Sequence, residues 1–262
     1  MKRKGVFVIM GVLVFASVVF AQTFGVKKRA LKADEFGNVV INNFSEKNDI
    51  APVVFKHWLH RLQYTCRLCH VDLGFAMEAG GTRITEEDNR NGLYCGACHH
   101  KGKEAFPAEK KGRSGKKTKD CDRCHSYGKD VKFEKDFYES VKGFPRARFG
   151  NKVDWLIAEE KGQIKLKDYL EGITIKRKAL KIPLDTEIKS QELGMPDIIF
   201  SHKKHAVWNG CELCHPEIFG VKKGVTVYSM QDIFEGKFCG ACHGKVAFVN
   251  QDCQLCHTKD VY

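Results

Sequence analysis

Twelve cysteines carry the clearest chemical signal in the sequence, because they form six pairs with two residues between the sulfurs and a histidine directly after each pair. Thiols at this spacing can reach two vinyl groups on one edge of a porphyrin while the histidine reaches the iron. The pattern therefore predicts six covalently attached haem c groups. The predicted attachment residues are Cys66, Cys69, Cys95, Cys98, Cys121, Cys124, Cys211, Cys214, Cys239, Cys242, Cys253 and Cys256, and the predicted iron ligands beside them are His70, His99, His125, His215, His243 and His257.

The spacing also predicts the local structure of each Cys-x-x-Cys-His unit. Residues at positions i, i+3 and i+4 lie on one face of a helix, so a single helical turn points both thiols and the imidazole the same way. Paired cysteines also occur in disulfide frameworks, structural zinc sites and redox dithiols. None of these alternatives requires a histidine after every pair, so haem attachment is the preferred interpretation.

The N-terminus predicts export. Lys2, Arg3 and Lys4 precede an almost unbroken apolar run over residues 6–20, and Ala21 ends a site typical of signal-peptide cleavage. The alternative is an uncleaved membrane anchor, but a bilayer span needs about 20 apolar residues and this run is shorter. We therefore expect a periplasmic or extracellular protein that does not span the membrane after cleavage.

The chain contains an internal duplication. The segment Phe55-Lys56-His57-Trp58-Leu59-His60 matches Phe200-Ser201-His202-Lys203-Lys204-His205, and both segments stand at the same distance before the first cysteine of their half. The duplication predicts a signal peptide (1–21), an N-terminal extension (22–50), a three-haem module (51–128), a cysteine-free intervening segment (129–196) and a second three-haem module (197–262). Within the intervening segment we expect a short helix near Trp155, a short strand over residues 173–175, and packing between or over the modules.

Modules this small cannot rely on a side-chain core, which supplies only about 3–5 kcal/mol at this size. We therefore expect the haems to form the core of a mainly α, loop-rich, short-helical fold with little β-structure. A basic stretch, Lys101–Lys119, is either a solvated loop or a docking patch for an acidic partner.

Six irons need up to six further ligands, and five other histidines remain in the sequence. His57, His60, His202 and His205 are predicted ligands because they keep register across the repeat. Methionine is the other common axial ligand of cytochromes c, and Met230 is its candidate in the second module. In the first module Glu86 stands in the place of Met230, so the third iron there is left with Met77, His100 or no ligand.

With these residues placed, the sequence resembles the c7-type triheme cytochromes of the class III multihaem group, joined in tandem. The resemblance rests on the Phe-x-His-x-x-His stretch, the three Cys-x-x-Cys-His units and the Gly-x-x-Cys-Gly-Ala-Cys-His block of each half. It implies that His57 and His202 serve the first haem of their module, and that His60 and His205 serve the second. Single-module members use a histidine for the third haem, where Asn91 and Glu235 stand here, and methionine is the natural substitute.

The resemblance implies an electron carrier that works by hopping between low-spin haems, in respiration to extracellular or metal acceptors. Its expected partners are other cytochromes, membrane quinol-oxidising complexes and terminal acceptors. A formal net charge of +12 would favour binding to nucleic acid. The negatively charged propionates of six haems would offset this charge, so we expect no nucleic-acid partner. The alternative function is a multihaem reductase with an open sixth position at the haem on Cys121 and Cys124.

Overall fold

Each half of the chain contains a short antiparallel hairpin that leads into the helix with the paired histidines. Strand β1 (Asn38–Ile41) pairs with β2 (Val53–Lys56), and β3 (Thr186–Ile188) pairs with β4 (Ile198–Phe200). The first strand of each hairpin comes from a segment that the sequence placed outside the two modules. The computed structural model describes residues 31–99, 121–133, 135–178, 181–190 and 194–259.

Short helices make up most of the remaining regular structure. They are α1 (His57–Arg61), α2 (Glu86–Arg90), α3 (Phe137–Ser140), α4 (Trp155–Glu160), α5 (His202–Asn209) and α6 (Met230–Phe234). Single 3-10 turns cover Glu46–Asn48, Tyr94–Ala97, Cys121–Arg123, Phe238–Ala241 and Cys253–Leu255, and a π turn covers Leu68–Asp72. The predicted fold class, short-helical and loop-rich with little β-structure, is confirmed.

Helices α2 and α6 hold equivalent positions in the two halves and begin in the same way. Thr85 caps α2 by accepting a hydrogen bond from the amide of Asp88, whose carboxylate accepts from the amide of Thr85. Ser229 and Asp232 form the same capping box at α6. A capping box satisfies two amides that have no partner within the helix, which stabilises helices of only five residues.

The intervening segment supplies most of the main apolar cluster. Residues from this segment pack with tryptophans from α1 and α5 in a cluster formed by Trp58, Phe137, Val141, Val153, Trp155, Ile164 and Trp208. The predicted helix near Trp155 is confirmed as α4. The predicted strand at residues 173–175 is wrong, because the amides of Ile173 and Thr174 both donate to the carbonyl of Leu170 in a turn.

Three features of the sequence lie outside the described residues: the predicted signal peptide (1–21), the basic stretch Lys101–Lys119, and His100. Among the helices that are described, none has the length and apolar character needed to cross a membrane.

Candidate functional site

The Cys-x-x-Cys-His units fold as single turns. In five of the six, the amide of the histidine donates to the carbonyl of the first cysteine, with nitrogen–oxygen distances of 2.8–3.0 Å; these are the units ending at His99, His125, His215, His243 and His257. This bond spans four residues, as in an α-helix, so the predicted turn is confirmed there. None of the twelve cysteines, all of which are described, is joined to another in a disulfide.

Three pairs of imidazole rings lie opposite each other, with interplanar angles of 7° in His57–His70, 73° in His60–His99 and 67° in His205–His243. The ring centroids are separated by 6.4 Å in the pair His57–His70, 6.2 Å in His60–His99 and 6.1 Å in His205–His243. A metal–imidazole bond is about 2 Å long and the nitrogen lies roughly 1 Å from the ring centre, so two rings on opposite sides of one metal are about 6 Å apart. Each pair therefore leaves room for a single iron between its rings.

The hydrogen bonds of the histidines fix which ring nitrogen is available to a metal. Eight of the ten described histidines place Nδ1 within 2.6–3.0 Å of a backbone carbonyl. A carbonyl only accepts, so Nδ1 carries the proton and Nε2 keeps its lone pair for a metal. The eight are His57, His60, His70, His125, His202, His205, His215 and His257.

The hairpins provide the carbonyl for the first histidine of each half. His57 Nδ1 donates to Gly37, one residue beyond the paired strands, and His202 Nδ1 donates to Leu184, two residues beyond them. In both cases the carbonyl lies opposite its histidine in the strand register. Sequence reasoning missed both carbonyl groups. The pairing of β1 with β2 and of β3 with β4 was the signal that could have identified them.

The loop between the two strands of each hairpin also binds the third Cys-x-x-Cys-His unit of its half. His125 Nδ1 donates to the carbonyl of Ala51 at 2.7 Å, and His257 Nδ1 donates to that of Pro196 at 2.6 Å. Ala51 and Pro196 both stand six residues before the first histidine of their half. The duplication therefore extends from the cysteines to the backbone groups that orient the histidines.

The phenylalanine of the Phe-x-His-x-x-His stretch packs on the histidines. Phe55 stacks on His60 with ring centroids 4.3 Å apart, and Phe200 stacks on His205 at the same distance. Phe55 also meets His57 edge-on at 4.7 Å. One aromatic ring thus restricts the orientation of both imidazoles in a half.

Burial sets the ionisation of the same groups. It is the main cause that lowers the pKa of His57, His99 and His243 to about 4, so these rings are neutral near pH 7. Burial also raises the pKa of the Cys69 and Cys242 thiols to about 12. Neutral imidazoles are the form that binds a metal.

The candidate ligands of the third irons lie in different surroundings. Met230 is the first residue of α6 and is partly buried, whereas Met77 is 37% exposed. Glu86 holds the place of Met230 at the start of α2, where it accepts from Arg90 Nε at 2.8 Å. The structure does not bring Met77 or Met230 into a described contact with His125 or His257, and these two sixth ligands stay predictions.

Among the described residues, no three histidine, cysteine, aspartate or glutamate side chains form a group that could hold a metal ion. The family described as "Cytochrome c7 and related cytochrome c" matches residues 53–126 and 198–258. The chain belongs to this cytochrome c7 family. It is therefore a multihaem c-type cytochrome with haem c as its cofactor, and electron transfer is the activity of such proteins.

Solved structures of related cytochromes also match this cytochrome. A c7-type three-heme cytochrome domain is 39% identical over 30% of this chain and 99% of its own, with a TM-score of 0.27. The C-terminal hexaheme fragment of GSU1996 is 27% identical over 85% of this chain and 97% of its own, also with a TM-score of 0.27. The N-terminal hexaheme fragment of GSU1996 is 25% identical over 85% of this chain and 98% of its own, with a TM-score of 0.24. No curated protein matches the sequence.

Proposed function

We propose that this cytochrome carries six haems and passes electrons between other redox proteins in the periplasm or at the cell exterior, in respiration to extracellular or metal acceptors. The observation that carries the proposal is the set of three facing imidazole pairs, His57–His70, His60–His99 and His205–His243. An iron held by two imidazoles has no open position for a substrate, which favours a carrier over an enzyme.

The same ligation is proposed for the first haem of the second module. His202 and His215 both donate from Nδ1 to a backbone carbonyl, at 3.0 and 2.7 Å, which leaves Nε2 of each free for iron. Their counterparts in the first module are His57 and His70, whose rings are nearly parallel at 7°. Two histidines per iron at four of the six sites is therefore our proposal.

The third haem of each module has a histidine on one side, His125 or His257. We propose that Met230 completes the site in the second module and that Met77 or His100 completes it in the first. A methionine ligand raises the reduction potential relative to a second histidine. Different ligands would therefore give the six haems different potentials within one chain.

Haem supplies the redox chemistry, since its iron accepts and releases one electron. The protein residues fix the geometry of the site. The carbonyls of Gly37, Ala51 and Phe75 orient His57, His125 and His70, and Phe55 restricts the rings of the first helix. Rigid ligands limit the rearrangement that accompanies a change of iron charge, and a small rearrangement favours fast transfer.

Two measurements test the proposal. The intact mass of the mature, natively expressed protein should correspond to cleavage after Ala21 plus six haems, and a double variant, Cys121→Ala with Cys124→Ala, should lose one haem. Electron paramagnetic resonance of the oxidised protein should show only low-spin iron. A stoichiometric high-spin signal that responds to nitrite or sulfite would favour the reductase alternative, and the bare polypeptide mass would refute the proposal.

A further inference from the structure

A chain of ion pairs joins the first haem-binding turns of the two halves. Arg67 and Glu212 stand between the two cysteines of these turns. Asp72 accepts from Arg67 at 2.8 Å and from Arg177 at 2.9 Å, and Arg177 also pairs with Glu212. The side chains of Arg67 and Asp72 are only 6% and 7% exposed. Arg177, from the intervening segment, therefore links both turns.

Close packing accompanies these charges. The aliphatic part of the Arg67 side chain lies against the Cα of Gly210, the residue before Cys211, so closely that a Cβ there would overlap it. Arg67 also donates to the backbone carbonyl of Asp168. The turn of the first module thus touches both the intervening segment and the second module.

Arg61 makes a second contact between the halves. Its Nη1 donates to the carbonyl of Val246 at 2.7 Å, and its guanidinium lies 4.6 Å from the Trp155 ring and 5.0 Å from the Trp208 ring. Val246 follows His243 by three residues. A cation between two aromatic faces is favourable, especially when it is removed from water.

The region around Val246 also meets the hairpin of the first half. The Cα of Gly37 lies beside Lys245 and Val246, and the carbonyl of Gly37 orients His57. The pair His57–His70 is thus close to the turn that ends at His243.

The third turns of both halves are placed differently. His125 Nδ1 donates to the carbonyl of Ala51 and the amide of Val54 donates to the carbonyl of Cys124, while His257 Nδ1 donates to the carbonyl of Pro196. Each third turn is therefore held by the hairpin of its own half.

We propose that electrons cross between the two halves at this junction, from the haem site of Cys66 and Cys69 to the sites of Cys214 and Cys242, with Arg177 as the positioning residue. The inference rests on the proposed function, because it requires haem at each of these sites. The crossing is a one-electron exchange: iron(II) on one side becomes iron(III) as iron(III) on the other becomes iron(II), and no bond forms or breaks.

The experiment measures how the oxidation of each haem shifts the potential of every other haem, by nuclear magnetic resonance during a redox titration of the six-haem protein. This mutual shift falls with distance, so the strongest interaction between the halves should involve the Cys66–Cys69 site and a site of Cys214 or Cys242. A strongest interaction that involves the Cys121–Cys124 or Cys253–Cys256 site would overturn the proposal. The wild-type protein alone gives this answer.

Variants test the role of Arg177. Arg177→Gln should reduce the interaction between the halves by about half or more, because the two turns separate, and Arg177→Lys should restore part of it. Lys178→Gln removes the same charge one residue away and should leave the interaction unchanged. Equal interactions in Arg177→Gln and the wild type would refute the positioning role. The haem count by mass is recorded for each sample, so a failure of the six-haem proposal is seen separately.

Discussion

The Cα of Gly240 lies against the backbone carbonyl of Ile233 in α6, so closely that a Cβ at this position would overlap the oxygen. Gly96 has the same relation to the carbonyl of Asn89 in α2. The glycine after the first cysteine therefore allows the second haem-binding turn of each half to pack directly on the preceding helix. This contact explains the Cys-Gly-Ala-Cys-His block that both halves share.

We expect Gly240→Ala to destabilise the haem-loaded protein by about 1–3 kcal/mol, because the new methyl group must displace backbone. Denaturant unfolding at neutral pH measures the change. Gly143→Ala is the matched control, since an added Cβ there meets no atom within 4 Å. Equal stabilities of the two variants would show that α6 moves freely away from the turn.

The stacking of Phe55 on His60 leads to a spectroscopic prediction. Phe55→Leu keeps an apolar side chain but removes the aromatic contact with both histidines of α1. We therefore expect the free energy of unfolding to fall by about 1 kcal/mol. The low-spin electron paramagnetic resonance signals of the first module should also change. Phe149→Leu is the control, because the described ring contacts of Phe149 are with Arg148 and Lys152 and not with a histidine. Unchanged signals in Phe55→Leu would mean that the carbonyl hydrogen bonds alone orient the imidazoles.

The capping box of α2 makes a prediction about pH. Hydrogen bonds from Thr85, first from its side chain and then from its backbone, lower the pKa of Asp88 below its usual value of 3.8. A carboxylate with a lowered pKa in the folded state stabilises the protein above its usual pKa, and this contribution is lost as the pH falls through the lowered value.

Thr85→Ala removes the N-cap hydroxyl group and should lower the free energy of unfolding by about 1 kcal/mol at pH 7. The decrease should become progressively smaller below pH 4. Urea unfolding at several pH values measures this trend. Thr85→Ser keeps the hydroxyl group and should retain most of the stability. A cost for Thr85→Ala that is the same at pH 7 and at acidic pH would contradict a role for the Asp88 carboxylate.

The haem-binding turns could be predicted from the sequence because their chemistry depends on residues three and four positions apart. The paired histidines could be predicted because the duplication repeats their spacing. The carbonyls of Gly37 and Leu184 were missed since they reach the histidines through strand pairing across 20 and 18 residues. The spacing of residues within a short motif does not indicate which strands pair with each other.

The contacts between the two halves could not be predicted from the sequence. Arg177 and Asp72 are 105 residues apart, and neither stands in a motif. The β-branched residues 173–175 suggested a strand, but the described residues provide no partner strand for them, and the turn at Leu170 formed instead. A strand needs a neighbour, and the pattern of one segment does not identify it.

The third haem site provides the last prediction, because α2 and α6 are equivalent helices that differ at their first residue. Met230 occupies this place in α6 and Glu86 in α2. If the sulfur of Met230 binds iron, Met230→Ala should remove the contribution of this sulfur to the sulfur-to-iron charge-transfer band of the oxidised protein, while Met195→Ala, outside the motifs, should leave the band unchanged. An unchanged spectrum in Met230→Ala would exclude this methionine as a ligand.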